Sequence, residues 1–204
     1  IRRGVPMPAD PWHRGGVSDA RPLLFLDVDG VLNAFGAWEV VDPRLGRTLA
    51  NVRAPEGFRR ASADGYELLL RPEHVEWLAA LEARVELVWA TMWQDRAPAA
   101  LAPVLGIGAD WPWVDFAAAR GYRIGQRTGE GVGSYKFPGV VATAGDRPLV
   151  WVDDDLEPAI YDWAAARTED GIPTLLVQPS PAEGWTPAEH AAVLAFVEDC
   201  ERSR

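Results

Sequence analysis

Two aspartates stand two positions apart where an apolar run of the chain ends. The run Leu23–Leu26 leads into Asp27 and Asp29, and Gly30 comes next. Four consecutive apolar residues predict a buried strand, and ligands of open α/β sheets sit at the carboxyl ends of strands. Two carboxylates there can bind a hard cation, or supply a nucleophile beside a general acid or base. The alternative is an ordinary Asp-rich turn after a strand.

Further polar residues follow apolar segments later in the chain. The run of residues 85–90 ends at Thr91, and the run of residues 148–152 ends at Asp153 and Asp154. Between them lies Lys136, the only lysine in the chain, which we expect in a cleft rather than in a packed core. An ammonium is a compact charge suited to one phosphate or carboxylate oxygen. A surface lysine placed there by chance is the alternative.

The order of these residues along the chain resembles that of the haloacid dehalogenase-like superfamily, most of whose members transfer phosphoryl groups. The resemblance covers residues 23–177 and rests most on Asp-x-Asp-Gly at residues 27–30 and on the later acidic pair. The strings at residues 89–94 and 151–155 are similar to a bacterial branch that includes the phosphatase-like domains attached to RNA-repair proteins. The resemblance implies an α/β fold with a doubly wound, Rossmann-like parallel sheet.

The resemblance also implies a role for each polar residue of the motifs. Asp27 is implied as the nucleophile that forms an aspartyl-phosphate. Asp29 is implied as the acid that protonates the leaving oxygen and then as the base that deprotonates the attacking water. Thr91 and Lys136 are implied to hold the phosphoryl oxygens, with the lysine also offsetting the charge on Asp27.

The same resemblance implies a Mg²⁺ site. Its protein ligands would be Asp27, the backbone carbonyl of Asp29, and Asp153. Asp154 is implied either to hold waters on the metal or to orient Lys136. Zinc is disfavoured, because the chain has one cysteine and three scattered histidines.

The segment between the first two motifs decides how open the predicted site is. Within residues 34–70, Asp64 and Gly65 precede an apolar run, which signals a turn between strands. We therefore predict a β-hairpin flap and no large cap domain. In the superfamily a large cap usually covers small metabolites, whereas capless members often act on macromolecules. The resemblance therefore favours a bulky substrate, such as an oligonucleotide end or a phosphoprotein.

Alternating strand-like and helix-like segments predict the parallel, doubly wound sheet independently. After the first strand, strands are predicted at residues 85–90, 111–114, 149–152 and 174–177. Helices are predicted at residues 72–83, 94–105, 136–144, 156–167 and 187–199. The second helix is expected to be interrupted near Pro98 and Pro103, and the last to be capped by Thr186. Residues 1–20 are predicted to be a flexible lead-in, 117–134 a loop, and 21–204 a single catalytic domain.

The composition limits the cellular compartments and the binding partners that we expect. The net charge of −10 argues against tight non-specific binding to nucleic acid, although arginines at residues 44–71 and 120–127 could form a local basic mouth. A charge-mixed surface is the alternative. The single Cys200 excludes an intrachain disulfide and suits a reducing compartment. Apolar runs are too short to span a membrane, so we predict a cytoplasmic protein without a membrane partner.

The sequence therefore predicts a Mg²⁺-dependent phosphomonoester hydrolase. A phosphotransferase or a small-metabolite phosphatase would use the same site, and a catalytically silent metal-binding interaction module is the alternative from another class. A hydrolytic dehalogenase is disfavoured, because that chemistry does not need Asp29. Trp89, Trp93 and Trp151 flank the predicted site, where they either stack on a substrate ring or pack the core.

Overall fold

The computed structural model describes residues 21–35, 37–38, 51–53, 56–116 and 135–203. Eight strands and five helices lie within these residues. In chain order they are β1 (Leu23–Leu26), β2 (Ala37–Trp38), β3 (Asn51–Arg53), β4 (Arg59–Ala63), β5 (Tyr66–Leu70), α1 (Glu73–Glu82), β6 (Glu86–Trp89), α2 (Arg96–Leu105), α3 (Phe137–Ala144), β7 (Leu149–Val152), α4 (Pro158–Glu169), β8 (Thr174–Val177) and α5 (Pro187–Arg202).

The central sheet is parallel and has the strand order β6-β1-β7-β8. In its register, Leu26 at the end of β1 lies beside Trp89 at the end of β6 and Val152 at the end of β7. The three strands therefore end level, and the residues that follow them emerge at one edge. This sheet confirms the predicted α/β fold class.

Both faces of the sheet are buried, as uninterrupted apolar strands require. Leu24 and Leu26 belong to one hydrophobic cluster, which also takes in buried residues of α1, α2 and α5. Leu23 and Phe25 belong to a second cluster, with buried residues of α3 and α4. Because successive side chains of a strand point to opposite faces, one short apolar run fills two cores. The helices lie on both sides of the sheet, which is the predicted doubly wound arrangement.

Several predicted elements are confirmed and two are corrected. α5 begins with a capping box in which Thr186 and Glu189 bond each other's backbone. α2 is continuous, so the predicted interruption is wrong: Pro98 lies in its first turn, where no intrahelical N–H bond is needed, and Pro103 lies near its end. Residues 111–114 form no strand; Trp113 makes a single parallel bridge to Trp89.

The described part of the insert consists of antiparallel strand pairs. β2 pairs with β3, and β4 pairs with β5 through a turn at Asp64 and Gly65. Both turn residues have positive φ, 50° and 82°, as a tight hairpin turn requires. The β4–β5 hairpin is joined to the first motif through backbone hydrogen bonding and a bridge between Asn33 and Leu70. The predicted flap is confirmed, and no cap domain occurs within the described residues of this insert.

The predicted lead-in of residues 1–20 and the predicted loop of residues 117–134 lie outside the described residues. The division of the chain into a lead-in and one catalytic domain stays a prediction. Within the part of the chain that the structure describes, no helix has the length and apolar character needed to cross a membrane.

Candidate active site

The sheet brings the predicted site residues to one edge. Asp27 follows β1 and donates its backbone N–H to Val152 at 3.0 Å, and Asp153 follows β7 and donates to Val177 at 3.1 Å. Thr91 comes two residues after β6, on the other side of β1. The backbone thus keeps its parallel pairing up to the point where each polar side chain emerges. This pairing fixes Asp27 and Asp153 on adjacent strands.

Lys136 connects these two aspartates. Its Nζ donates to Oδ2 of Asp27 and, at 2.7 Å, to Oδ2 of Asp153. The lysine stands at the N-terminal end of α3 and is only 3% exposed. The lysine lines a cavity, as expected for a residue in a cleft, but its side chain is deeply buried because the two carboxylates hold the ammonium inside the protein. A surface lysine placed by chance is excluded.

Burial and charge oppose each other in this ion-pair group. Burial raises the pKa of Asp27 to about 7, against the opposing effect of the Lys136 charge, and the Asp153 charge raises it further. Burial alone would lower the pKa of Lys136, but the charges of Asp27 and Asp153 outweigh it and raise that pKa. The ammonium is therefore firmly protonated at neutral pH. It places one positive charge between the two buried carboxyl groups.

A third carboxylate completes an acidic group. Asp27, Asp153 and Asp154 each offer one oxygen, and these oxygens lie within 4.8 Å of one another. Burial, followed by the Asp153 charge, raises the pKa of Asp154 to about 6. Three carboxylate oxygens are the donor set that a hard divalent cation prefers, so the residues present fit a metal ion of the Mg²⁺ type. The carboxylate of Asp29 is not part of this group.

Neighbouring groups fix the acidic residues in place. Asp153 accepts a hydrogen bond from Nε1 of Trp151 at 3.2 Å and another from the backbone N–H of Asp155 at 3.0 Å. Gly30, with a φ of +78°, leaves room for Asp154, since a Cβ at residue 30 would lie 2.3 Å from the Asp154 Cγ. The glycine of the first motif is thus required for space as well as for the turn.

Asp29 is held by two donors that the sequence did not indicate. Nδ2 of Asn33 donates to its Oδ1 at 2.8 Å, and Nε1 of Trp93 donates to its Oδ2 at 3.0 Å. Asn33 in turn accepts the backbone N–H of Leu69, on the flap strand β5, at 2.9 Å. Both partners follow a motif closely, Asn33 four residues after Asp29 and Trp93 two after Thr91, and that proximity was the available signal.

Thr91 is buried, and its Oγ1 accepts the backbone N–H of Trp93 at 3.4 Å. Its predicted role in holding phosphoryl oxygens stays a prediction.

Trp89 and Trp151 are fully buried in the two cores, so both pack the core rather than stack on a substrate ring. Trp93 is buried too, but its indole N–H serves Asp29.

Two small cavities open beside Asp29. One, of about 210 Å³, lies beside Asp27, Lys136, Asp153 and Asp154, which we call the acid–lysine group; its lining is Asp27, Asp29, Phe35, Met92, Tyr135, Lys136, Asp154 and Asp155. The other, of about 220 Å³, is bordered by the flap; its lining is Asp29, Asn33, Tyr66, Glu67, Leu68, Met92, Trp93 and Arg96. Asp29 and Met92 belong to both linings. Asp29 therefore stands where a group in the first cavity would meet one in the second.

The doubly wound sheet and the acid–lysine group at its carboxyl edge define a haloacid dehalogenase-like domain. The family model for the HAD domain in Swiss Army Knife RNA repair proteins matches residues 23–190, so the chain belongs to that family. This confirms the resemblance drawn from the sequence. No curated protein matches the chain. Family membership and the acidic group together indicate a hydrolase of the phosphatase type with residues suited to a metal ion.

Proposed function

We propose that the chain is a Mg²⁺-dependent phosphomonoester hydrolase that works through an aspartyl-phosphate on Asp27. One observation carries the proposal: Lys136 joins Asp27 to Asp153 at the carboxyl edge of the sheet. Phosphoryl transfer needs an oxygen nucleophile among positive charges, because the oxygens of a phosphate monoester repel an anion. A buried carboxylate beside a buried ammonium is such an arrangement.

In the first step, an Asp27 oxygen forms a bond to phosphorus while the bond from phosphorus to the leaving oxygen breaks. Asp29 gives its proton to that leaving oxygen. In the second step, water attacks phosphorus, Asp29 takes a proton from it, and the bond from phosphorus to Asp27 breaks. The products are an alcohol and inorganic phosphate, and both aspartates return to their starting states.

The other residues orient the reacting groups and neutralise the charge of the phosphoryl group. Lys136 and Thr91 hold the phosphoryl oxygens, and Asn33 and Trp93 keep the Asp29 carboxylate aimed at the leaving oxygen. Asp27, Asp153 and the backbone carbonyl of Asp29 would hold the Mg²⁺, with Asp154 holding its waters. When bound, the ion would neutralise charge on the phosphoryl group.

The substrate we propose is a phosphorylated oligonucleotide end. Two findings support it: the described part of the insert consists of short antiparallel strand pairs rather than a cap domain, and the family is described from RNA repair proteins. A phosphoprotein would fit the same open site. The net charge of −10 favours recognition of one end over binding along a polyanion.

Two alternatives use the same residues. A phosphotransferase, or a phosphatase for small metabolites, would form the same aspartyl-phosphate and differ in acceptor or in substrate. A silent metal-binding module would bind the ion without turnover.

We also propose that the protein works in the cytoplasm.

The test is Mg²⁺-dependent release of phosphate by the purified chain. Substrates are 3′- and 5′-phosphorylated oligonucleotides, nucleotides, phosphopeptides and sugar phosphates, each with Mg²⁺ and with excess chelator. Asp27→Asn is the matched control, because an amide keeps the shape but cannot attack phosphorus. It should lower the rate by more than ~10³-fold. Metal binding without phosphate release would favour the silent module, and full activity of Asp27→Asn would overturn the mechanism.

A further inference from the structure

The second cavity beside Asp29 has no role in the steps above. It is bordered by the β4–β5 hairpin and the start of α2, and it contains neither Asp27 nor Lys136. Apart from Asp29 and Met92, its lining differs from that of the cavity with the acid–lysine group. The cavity is therefore a separate space reached from the same general acid.

The chemistry of the leaving group links this space to the substrate. A general acid must lie within hydrogen-bond reach of the oxygen that it protonates. The leaving oxygen therefore lies at Asp29. The leaving group, which is bonded to that oxygen, extends away from the phosphoryl group. The cavity that contains Asp29 but lacks the nucleophile is the space into which that group extends.

The lining of the cavity suits a flat ring. Tyr66 is 57% exposed, and its ring stands edge-on to Trp93 with the centroids 5.5 Å apart. Met92 adds a thioether that is 43% exposed. Aromatic rings and thioethers both make favourable contacts with aromatic ligands. A volume of about 220 Å³ lies below the roughly 300–1,000 Å³ of whole-ligand pockets, so it holds one ring system.

The charges around the cavity favour a neutral ring. Asp29 and Glu67 are acidic, and the arginines nearby are already paired, Arg60 with Glu67 at 3.5 Å and Arg96 with Asp64 at 2.7 Å. The guanidinium of Arg96 lies 5.5 Å from the Trp93 ring centroid, and an arginine has five N–H donors, more than one carboxylate uses. A further phosphate here would find no arginine without a carboxylate partner among these residues. A neutral group that accepts a hydrogen bond meets no such penalty.

We propose that this cavity is a leaving-group subsite for a neutral planar ring, with Tyr66, Met92 and Arg96 as its specificity-determining residues. The inference rests on the proposed function, since it identifies the leaving group by the position of the general acid. A nucleoside and a phenol both supply such a ring. The terminal nucleoside of a phosphorylated oligonucleotide end supplies it too, whereas an aliphatic group or a further phosphate in the cavity does not.

Ring binding can be observed without turnover. The chain has two methionines, Met7 and Met92, so methyl-¹³C-methionine gives two NMR signals that Met92→Leu assigns. We expect adenosine or phenol to shift the Met92 methyl signal through ring currents, and glycerol to leave it in place. Tyr66→Ala should abolish the shift, and Tyr66→Phe, which keeps the ring, should preserve it. No shift with either ring compound, or the same shift in Tyr66→Ala, would overturn the subsite.

Turnover provides the second arm. We compare kcat/KM for adenosine 3′- and 5′-monophosphates, phenyl phosphate and glycerol 2-phosphate. The preference for ring-bearing over aliphatic esters should fall at least 10-fold in Tyr66→Ala and persist in Tyr66→Phe. Preference for the nucleotides or for the phenyl ester identifies the source of the ring. Turnover without ring preference overturns the subsite alone, whereas no turnover of any ester by the unmodified chain overturns the proposed function as well.

Discussion

The indole Nε1 of Trp93 donates a hydrogen bond to Oδ2 of Asp29 at 3.0 Å, across 64 residues of sequence. Trp93 lies in the loop after β6 and Asp29 in the loop after β1, and these two strands are neighbours in the sheet. The bond therefore ties together two loops at the carboxyl edge. With Asn33 on the other oxygen, it leaves the carboxylate little freedom to rotate.

Replacing Trp93 with phenylalanine should lower kcat about 10-fold. The change keeps an aromatic ring but removes the N–H, and a single hydrogen bond is worth up to about 1.5 kcal/mol, which corresponds to about 10-fold in rate. The loss should be larger for poor leaving groups, which depend on a well-placed acid. Trp111→Phe is the matched control, because Trp111 is also buried and donates to Glu82 at 2.8 Å, away from the site. Equal kcat values in the two variants would remove the positioning role.

Replacing Asp29 with asparagine should leave a phosphorylated enzyme. The first step can proceed with an activated aryl phosphate, whereas the second lacks the base that activates water. Intact-mass spectrometry after mixing should find one added phosphoryl group. The introduced amide would also place an N–H against Asn33 or Trp93, both of which are donors here. Asp29→Ala avoids that clash and should trap the same species; an unmodified mass with an unchanged rate would contradict the role.

Replacing Lys136 with arginine should lower both kcat and stability. The guanidinium is larger and planar, and it cannot place one compact charge between Asp27 and Asp153. We expect kcat to fall at least ~10-fold and the free energy of unfolding to fall by roughly 1–3 kcal/mol, as for an overpacked buried site. Arg84→Lys is the reverse substitution, at the partly exposed ion pair with Glu201. It should cost less than ~1 kcal/mol, and a Lys136→Arg variant as stable and active as that control would contradict the packing found here.

His74 should make stability depend on pH between about 6.5 and 4. Burial lowers the pKa of this histidine to about 4 from an ordinary 6.5. Its Nε2 lies 2.9 Å from the Trp185 carbonyl oxygen, and its buried Nδ1 has no hydrogen-bond partner among the described residues. As pH falls below 6.5, the unfolded chain takes up a proton that the folded chain refuses. Stability is therefore lost as the solution becomes more acidic.

The measurement for His74 is urea unfolding of the chain and of His74→Gln at pH 7 and pH 5. At pH 5 the histidine lowers the free energy of unfolding by about 2 kcal/mol, an effect that glutamine, which does not titrate, cannot have. The stability difference between the two proteins should therefore shift by that amount in favour of the variant. A difference that is the same at both pH values would show that His74 does not titrate in this range.

The sequence was sufficient for the residues whose position depends on local pattern. Short apolar runs ending in polar residues predicted three strands of the sheet, which the structure has as β1, β6 and β7. The hairpin at Asp64 and Gly65 was predictable for a similar reason, because the turn needs positive φ at both residues.

Long-range contacts were not predictable in the same way. The burial of Lys136 depends on Asp27, 109 residues earlier, and on Asp153, 17 residues later, and no local pattern joins the three. The contact between Trp93 and Asp29 depends on how two loops fold over one sheet edge. The continuity of α2 depends on where its prolines fall relative to its ends, and a shift of a few residues in the predicted boundary reverses that conclusion.

The single buried lysine makes acylating reagents informative about this chain. Amine-directed esters react with unprotonated amines, and the only ε-amine here is both shielded and held as an ammonium by Asp27 and Asp153. In the folded protein no lysine side chain is then open to labelling. The rate of acylation at Lys136 therefore reports how often the sheet edge opens, and it can be measured at one residue without any substrate.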